Sequence, residues 1–335
     1  MTANYAPDAL ARVASRVENG CAFHAGLPFI SALRDCVDRS KQMKTFIICN
    51  PCAGSVGDRE STGEKLRQLP GAQIYFTEKE GDATRFAKDA VQQGQDLIVA
   101  AGGDGTLNEV INGIAGHANQ IQIGLVPLGT GNDFARTLDL PDSIEDCIDI
   151  LRAAKTRPVD LVRVTSDQVR YFVNVSAGGF SGTVNEKLTP EIKKTWGPLA
   201  YLRSAAQALP ELRSYRTTIV LDEGTPLEVD LCNAIVANGR FAAGGTPVAP
   251  EAAVDDGLLD LVLVLQKPMS EVVLVAARML VGKHLTSDAI VFRRARKISI
   301  NSKPGMWFNV DGELVGNEPS IFEALPRALQ FVAPN

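Results

Sequence analysis

Residues 96–114 of the chain read DLIVAAGGDGTLNEVINGI. Residues 96–101 carry the apolar run typical of a buried strand, and a helical pattern covers residues 107–114. Between them lies the glycine-rich turn Gly102-Gly103-Asp104-Gly105-Thr106. A strand that leads through a glycine turn into a helix is the repeating unit of α/β proteins, so this segment predicts a parallel sheet covered by helices.

The same alternation extends from this segment in both directions. Further strand patterns cover residues 45–49, 73–76 and 121–126, and further helical patterns cover residues 59–69, 82–93 and 144–152. We therefore predict a doubly wound α/β nucleotide-binding domain over residues 44–160. Residues 1–43 form an N-terminal extension without a phosphate loop. Ligands of such sheets bind at the carboxyl ends of the strands.

The second half of the chain has a different pattern, with short apolar or alternating runs separated by turn residues. These runs cover residues 161–164, 171–175, 217–221, 231–236, 258–265 and 297–300, and helical patterns cover residues 199–209 and 270–281. Such runs are typical of an antiparallel sheet or sandwich. We predict a β-sandwich domain over residues 161–320.

Composition narrows the class of protein. Hydrophobic residues make up 45% and charged residues 22% of the 335 residues, which is ordinary for a globular chain. The net charge of -5 argues against a nucleic-acid partner, because that affinity comes from neutralising phosphates. No apolar run reaches the roughly 20 residues that cross a bilayer.

Targeting and cysteine patterns concern the cellular compartment. The N-terminal region lacks the apolar core of a secretory signal. The six cysteines are too sparse for a disulfide framework. Cys49 and Cys52 make a C-x-x-C without the second pair that a zinc site requires. We therefore expect a cytoplasmic protein.

Three glycine-rich turns follow successive strands, at residues 50–54, 102–109 and 127–133. Glycine lets backbone N–H groups approach phosphate oxygens without a Cβ, and the next helix presents its positive end. One such turn is more often structural, but three in order indicate a phosphate site. The chain has neither the G-x-x-x-x-G-K-[ST] pattern nor a G-x-G-x-x-G after the first strand.

Five motifs in order resemble the bacterial diacylglycerol kinase family, which shares the diacylglycerol/sphingosine kinase catalytic domain. The motifs are N-P-x-x-G at residues 50–54, G-G-D-G-T at 102–106, G-T-G-N-D-F at 129–134, D-D-G at 255–257 and D-G-E at 311–313. The resemblance covers residues 44–333. It implies a nucleotide domain, a β-sandwich domain, an active site in the cleft between them, and a last segment, about 321–335, that completes the first domain.

The resemblance also implies a nucleotide site for ATP, the co-substrate. Its residues would be Asn50, Pro51, Gly54, Thr77, Gly102, Gly103, Asp104, Gly105, Thr106, Asn108 and Thr130. Thr77 directly follows a predicted strand, which agrees with that placement.

Carboxylates are the candidates for the chemistry. Asp104, inside a phosphate-binding turn, suits Mg²⁺, which prefers oxygen ligands. The acceptor hydroxyl needs a base. Read alone, the Asp311-Gly312 pair predicts a hairpin turn, whereas the resemblance implies that Asp311 is the general base and Glu313 its partner or a metal ligand.

The resemblance further implies a second, structural Mg²⁺. It would be held by the Asp256 side chain with main-chain oxygens of Ala253 and Leu258.

The resemblance implies transfer of the γ-phosphoryl group of ATP to diacylglycerol, which gives phosphatidic acid. Alternatives stay open: another lipid acceptor (ceramide, a sphingoid base or phosphatidylglycerol), an NAD kinase, or a regulator that binds a nucleotide or lipid without catalysis. A lipid acceptor implies contact with a membrane surface, and basic residues cluster at 187–216 and 278–297. These clusters also fit solvated helix faces. A homodimer is an open alternative for the assembly.

Overall fold

A computed structural model of the chain describes residues 43–54, 58–180, 212–310, 313–316 and 319–334. The predicted extension lies outside the described residues except for Met43. So do the predicted helix at 199–209 and most of the basic cluster at 187–216. Among the described residues, no helix is long and apolar enough to cross a lipid bilayer.

The first half of the chain contains a parallel sheet. Its strands are β1 (Thr45–Cys49), β2 (Ala72–Phe76), β3 (Leu97–Gly102) and β4 (Gln122–Pro127). They lie in the order β4-β3-β1-β2. Cys49 pairs with both Phe76 and Ala101, so these strands end level with one another and their following turns share one edge of the sheet.

Both faces of this sheet are covered by helices. These are α1 (Arg59–Leu66), α2 (Asp82–Gln92), α3 (Asp104–Ile114), α4 (Asp133–Thr137) and α5 (Ile144–Ala153), with a 3₁₀ helix over Ala115–Gln120. Phe46 and Ile48 of β1 pack with α2 and α3, and Ile47 and Cys49 pack with α1 and α5. Burial on both faces explains why the strand is a continuous apolar run.

The second half is largely antiparallel. Its strands are β5 (Thr156–Thr165), β6 (Val169–Phe172), β7 (Val175–Gly179), β8 (Tyr215–Leu221), β9 (Leu227–Ala237), β10 (Leu259–Leu265), β11 (Ile290–Ala295), β12 (Lys297–Lys303), β13 (Trp307–Val310), β14 (Glu313–Gly316) and β15 (Ser320–Val332), with α6 over Met269–Met279. The predicted α/β layer followed by a β-rich half is confirmed.

Several predicted bounds shift by a few residues, and two of the differences have a clear physical reason. The helix predicted to start at Leu107 starts at Asp104, where the bond from Leu107 N to Gly103 O closes the first turn. An acidic residue suits this position because it faces the positive end of the helix. The run predicted at 171–175 is two strands, β6 and β7, because the two parts pair with different strands. β6 pairs with β5 and β7 pairs with β9, and Val173 and Asn174 form the connection between them.

One long strand, β15, links the two halves. Its beginning pairs with β12, and its end pairs in parallel with β4 at Gln330 and Phe331. Strand β5 lies alongside β15, with an irregularity between Leu325 and Leu329. The strand therefore carries hydrogen bonds from the antiparallel half into the parallel sheet.

Candidate active site

The three glycine-rich turns meet at the carboxyl edge of the parallel sheet. A Cβ added to Gly129 would lie 2.6 Å from the Cα of Gly103, and one added to Gly54 would overlap the Thr130 hydroxyl. The amide of Leu128 donates to the Gly102 carbonyl at 2.9 Å. Glycine is therefore required for the turns to approach so closely.

A cavity of about 310 Å³ opens beside the first two of these turns. It is lined by Asn50, Cys52, Thr77, Glu78, Lys79, Glu80, Ala83, Thr106 and Glu109. Asn50 joins two turns, because its Nδ2 donates to Thr106 Oγ1 at 3.4 Å and its Oδ1 accepts from Cys52 N at 2.9 Å. Thr77 is fixed at the end of β2 by a bond from its amide to Cys49 O. Asn50, Thr77 and Thr106 were predicted from the sequence.

The other rim of the cavity is held by two carboxylates that the sequence reasoning missed. Asp82 accepts from the amides of Glu78 at 2.9 Å and Lys79 at 3.1 Å. The amide of Glu78, followed by the guanidinium of Arg85, lowers the pKa of Asp82 to about 2. Glu109 accepts from the amide of Ala83 at 3.0 Å. An acid at the first position of a helix after Gly81 was the available signal for Asp82.

Asp104 is the first residue of α3 and connects two of the turns. Its Oδ2 accepts from Asp133 N at 3.0 Å, and its Oδ1 accepts from Phe134 N at 3.1 Å. Gly103, the N-cap of α3, provides no side-chain bond to the first turn of the helix. A Cβ added to Gly105 would meet nothing within 4 Å, so the space over this first turn is open.

Asp133 connects the third turn to the β-rich half. Its buried carboxylate accepts from Gly244 N at 3.0 Å and Gly245 N at 2.6 Å, and Arg136 lies 3.3 Å away. Burial, followed by the charge of Asp104, raises the pKa of Asp133 to about 6. The G-T-G-N-D-F motif contains this residue, but no local pattern shows that its partners lie more than a hundred residues away.

The predicted second metal site lies in an acidic turn. Asp256 Oδ1 accepts from the amide of Leu258 at 2.9 Å. The fully buried Asp160 holds this turn, because its carboxylate accepts from Gly257 N and Arg327 N, each at 2.6 Å. Burial, followed by the charges of Asp256 and Asp255, raises the pKa of Asp160. Ala253 precedes Val254, whose carbonyl accepts from Asp160 N.

The predicted base, Asp311, and Gly312 lie outside the described residues. Val310 at the end of β13 pairs with Glu313 at the start of β14. Val310 also pairs with Ser176, and the adjoining Val175 pairs with Ala237 at the end of β9. The register therefore brings this end of the hairpin to the edge of the sheet from which the segment containing Gly244 leaves.

The remaining predicted nucleotide residues differ in their placement. Pro51 lies in the first turn, between Asn50 and Cys52 of the cavity lining. The Asn108 side chain has a partner within the chain, since its Nδ2 donates to Tyr171 O at 3.0 Å. Asn108 is also absent from the cavity lining. The cavity lies within the α/β half, and Gly131 beside Gly244 marks where the two halves approach.

The oxygen atoms that these residues can offer as ligands decide whether they fit a metal ion. The described residues contain no cluster of three or more His, Cys, Asp or Glu side chains suited to a metal. Mg²⁺ in phosphoryl-transfer sites is commonly held by one or two carboxylates with water and substrate phosphates. Each oxygen of Asp104 accepts a single amide bond in the contacts above and has a second lone pair. The donor chemistry therefore fits a Mg²⁺ that is shared with a bound phosphate.

Comparisons with known proteins agree with this fold. Residues 44–164 match the diacylglycerol kinase catalytic domain family, and residues 174–333 match the YegS C-terminal NAD kinase beta sandwich-like domain family. A diacylglycerol kinase of Staphylococcus aureus (strain bovine RF122 / ET3-1) is 33% identical over 296 residues, covering 86% of this chain and 92% of the relative. One of Staphylococcus haemolyticus (strain JCSC1435) is 34% identical over 295 residues, covering 86% and 87%.

Solved structures give the same result. A diacylglycerol kinase from Bacillus anthracis str. Sterne has a TM-score of 0.69 and 25% identity, and the match covers 88% of this chain and 98% of that chain. An NAD kinase from Archaeoglobus fulgidus, solved in complex with ATP, has a TM-score of 0.50 and 15% identity, with 86% and 93% covered, and shares the fold alone. The chain belongs to the diacylglycerol kinase family of lipid kinases.

Proposed function

We propose that the protein transfers the γ-phosphoryl group of ATP to the hydroxyl of diacylglycerol, giving phosphatidic acid and ADP. The observation that carries this proposal is the meeting of three glycine-rich turns at the carboxyl edge of the sheet, where residues of the first two turns line a cavity. Membership of the diacylglycerol kinase family supports the choice of acceptor.

The ATP phosphates would lie against the turn at residues 102–106 and the first turn of α3. Support comes from the open space over Gly105 and from the positive end of the helix, which favours anions. Asn50 and Thr77 would contact the rest of the nucleotide, since both line the cavity. Gly54 and Thr130 would close the site from the other side.

The reaction forms a bond from the acceptor oxygen to the γ-phosphorus and breaks the bond from that phosphorus to the β–γ bridging oxygen. The hydroxyl proton passes to the Asp311 carboxylate, which acts as general base, with Glu313 as its partner. Asp104 would hold Mg²⁺ with the nucleotide phosphates. When bound, Mg²⁺ neutralises charge on the transferred group.

A second Mg²⁺ would have a structural role at the acidic turn, held by the Asp256 side chain and main-chain oxygens of Ala253 and Leu258. Support comes from the pKa of Asp160. Burial raises this pKa most, and the charges of Asp256 and Asp255 raise it further. A cation beside these carboxylates would relieve their mutual repulsion.

The test of the acceptor is phosphoryl transfer from γ-labelled ATP to a panel of detergent-dispersed lipids. The panel contains diacylglycerol, ceramide, a sphingoid base and phosphatidylglycerol, with NAD in a parallel reaction. We expect label in phosphatidic acid. Label in another product would show that a different lipid, or NAD, is the acceptor. If no product is labelled although ATP still binds, the result would favour a non-catalytic regulator.

Matched variants test the residues. Asp311→Asn removes the base and keeps the shape, so turnover should fall at least about a hundredfold while ATP binding persists. Asp104→Asn should raise the Mg²⁺ concentration needed for half-maximal turnover. Asp288→Asn, at an exposed position away from the cavity, is the control. Turnover of Asp311→Asn within tenfold of wild type would contradict the base assignment.

A further inference from the structure

Helix α6 and the turn after it expose an apolar surface. Val273 is 46% exposed, Leu274 51%, Leu280 45% and Val281 65%. Residues seven apart are separated by two helical turns and lie on the same side of a helix. Val273 therefore aligns with Leu280, and Leu274 with Val281. These four residues are called the α6 face below.

The opposite side of the same helix anchors it to the domain. Val272 and Val275 are buried against Val262, Val264 and Ile290. The α6 face takes no part in this buried cluster, so the domain core does not account for it. A contiguous exposed apolar patch rimmed by polar residues is typical of an interaction surface.

The charges around the α6 face indicate the kind of surface it meets. Between residues 267 and 283 the chain carries Lys267, Arg278 and Lys283 against the single acid Glu271. The whole chain has a net charge of -5, so this segment is locally positive on an acidic protein. An apolar helix face flanked by basic residues is typical of helices that lie in the interface of an anionic bilayer.

The residues directly after the α6 face contact a segment that leads to the candidate active site. The buried His284 places its Nε2 2.9 Å from Val248 O, and a Cβ on Gly282 would lie 3.3 Å from Pro247. The segment at 247–248 directly follows Gly244 and Gly245, whose amides bind Asp133 of the third glycine turn. A short stretch of chain therefore connects the α6 face to the turn beside Asp104.

We propose that the α6 face seats the protein on the anionic surface of a lipid bilayer, with the four apolar side chains in the headgroup region. This inference rests on the proposed function, because a diacylglycerol acceptor is confined to a bilayer. The apolar residues supply burial, and Lys267, Arg278 and Lys283 supply attraction to anionic headgroups.

The test measures binding of the full chain to vesicles made of equal parts phosphatidylcholine and phosphatidylglycerol, by sedimentation. In the double variant Leu274→Glu with Val281→Glu, each lost apolar contact should lower the partition coefficient roughly tenfold. The matched control is Val169→Glu, because Val169 is 49% exposed on β6, away from the face. This control should bind as wild type does.

A second pair of variants tests the charge contribution without altering the apolar surface. Lys283→Gln should weaken vesicle binding roughly fivefold at low ionic strength and much less at high ionic strength. Lys88→Gln, at an exposed position on α2, should leave binding unchanged. This pair also keeps the test valid if the double glutamate variant fails to fold.

Three results would overturn the inference. The first is no binding of the wild type to these vesicles, and the second is equal binding by the double variant and the control. The third is a dimer that the double variant converts to a monomer while vesicle binding persists, which would assign the face to a second copy of the chain. Phosphoryl transfer to diacylglycerol in detergent micelles does not depend on the bilayer, so failure of that reaction would refute the proposed function separately.

Discussion

The substitution Gly105→Ala is expected to have opposite effects on the stability of the fold and on the binding of ATP phosphates. Gly105 is the second residue of α3, and a Cβ there meets nothing within 4 Å. Alanine restricts the unfolded chain and favours a helix, so the free protein should gain about 0.5 to 1 kcal/mol of unfolding free energy. If ATP phosphates occupy the open space, the same methyl group should hinder them.

The expected loss of affinity follows from forcing a methyl group into a tight contact. Such overpacking typically costs roughly 1 to 3 kcal/mol, which corresponds to about a 5- to 150-fold increase in Kd. Thermal melting would measure the first effect and calorimetric titration with ATP the second. Gly116→Ala is the matched control, because its Cβ also meets nothing within 4 Å and it lies outside the cavity lining.

Three results would refute this reasoning. Unchanged ATP affinity in Gly105→Ala would mean that the phosphates do not lie over the first turn of α3. A lowered melting temperature without ATP would mean that the space over Gly105 is not open. Weaker ATP binding in Gly116→Ala to the same extent would show that the effect is not specific to the turn.

Three further predictions concern other parts of the molecule. Gly129→Ala should lower both stability and ATP affinity, because its Cβ would lie 2.6 Å from the Gly103 backbone, and melting with and without ATP checks both. The pKa of Asp133 is about 6 against an ordinary 3.8, so the folded chain holds that proton more tightly. Wild type should therefore lose up to about 3 kcal/mol of unfolding free energy as the pH rises from about 4 to 6, and Asp133→Asn should lack that loss when both are denatured with urea across this range. A chain that starts at Met43 should fold and keep most of its turnover on detergent-dispersed lipid, because residues 43–335 form one compact unit; a folded but inactive truncation would contradict this.

The strands and helices of the first half could be predicted because their signals are local. Strand β1 is apolar along its whole length because helices cover both faces of the sheet, so its burial is visible in consecutive residues. The glycine turns could be placed for the same reason, since each directly follows such a run. The family resemblance added the order of the motifs and, through it, the proposed roles of Asp104 and Asp311.

Contacts between distant residues needed the tertiary structure. The amides that bind the Asp133 carboxylate come from Gly244 and Gly245, and hydrophobic periodicity carries no information about a partner so far along the chain. The same holds for Asp160, which holds the acidic turn at Gly257 from the end of the α/β half. Strand pairing is long-range too, which is why one predicted run proved to be β6 and β7.

The α/β layer, the glycine turns at its strand ends and the family follow from the sequence alone, because they depend on neighbouring residues and their spacing. The tertiary structure was needed to show that Asp104 accepts from the first amides of α4, that Asn108 bonds to Tyr171, and that α6 and the turn after it expose four apolar side chains. Packing between elements sets hydrogen-bond partners and exposure. The apolar pattern of a helix therefore does not show which of its apolar sides packs on the core and which stays uncovered.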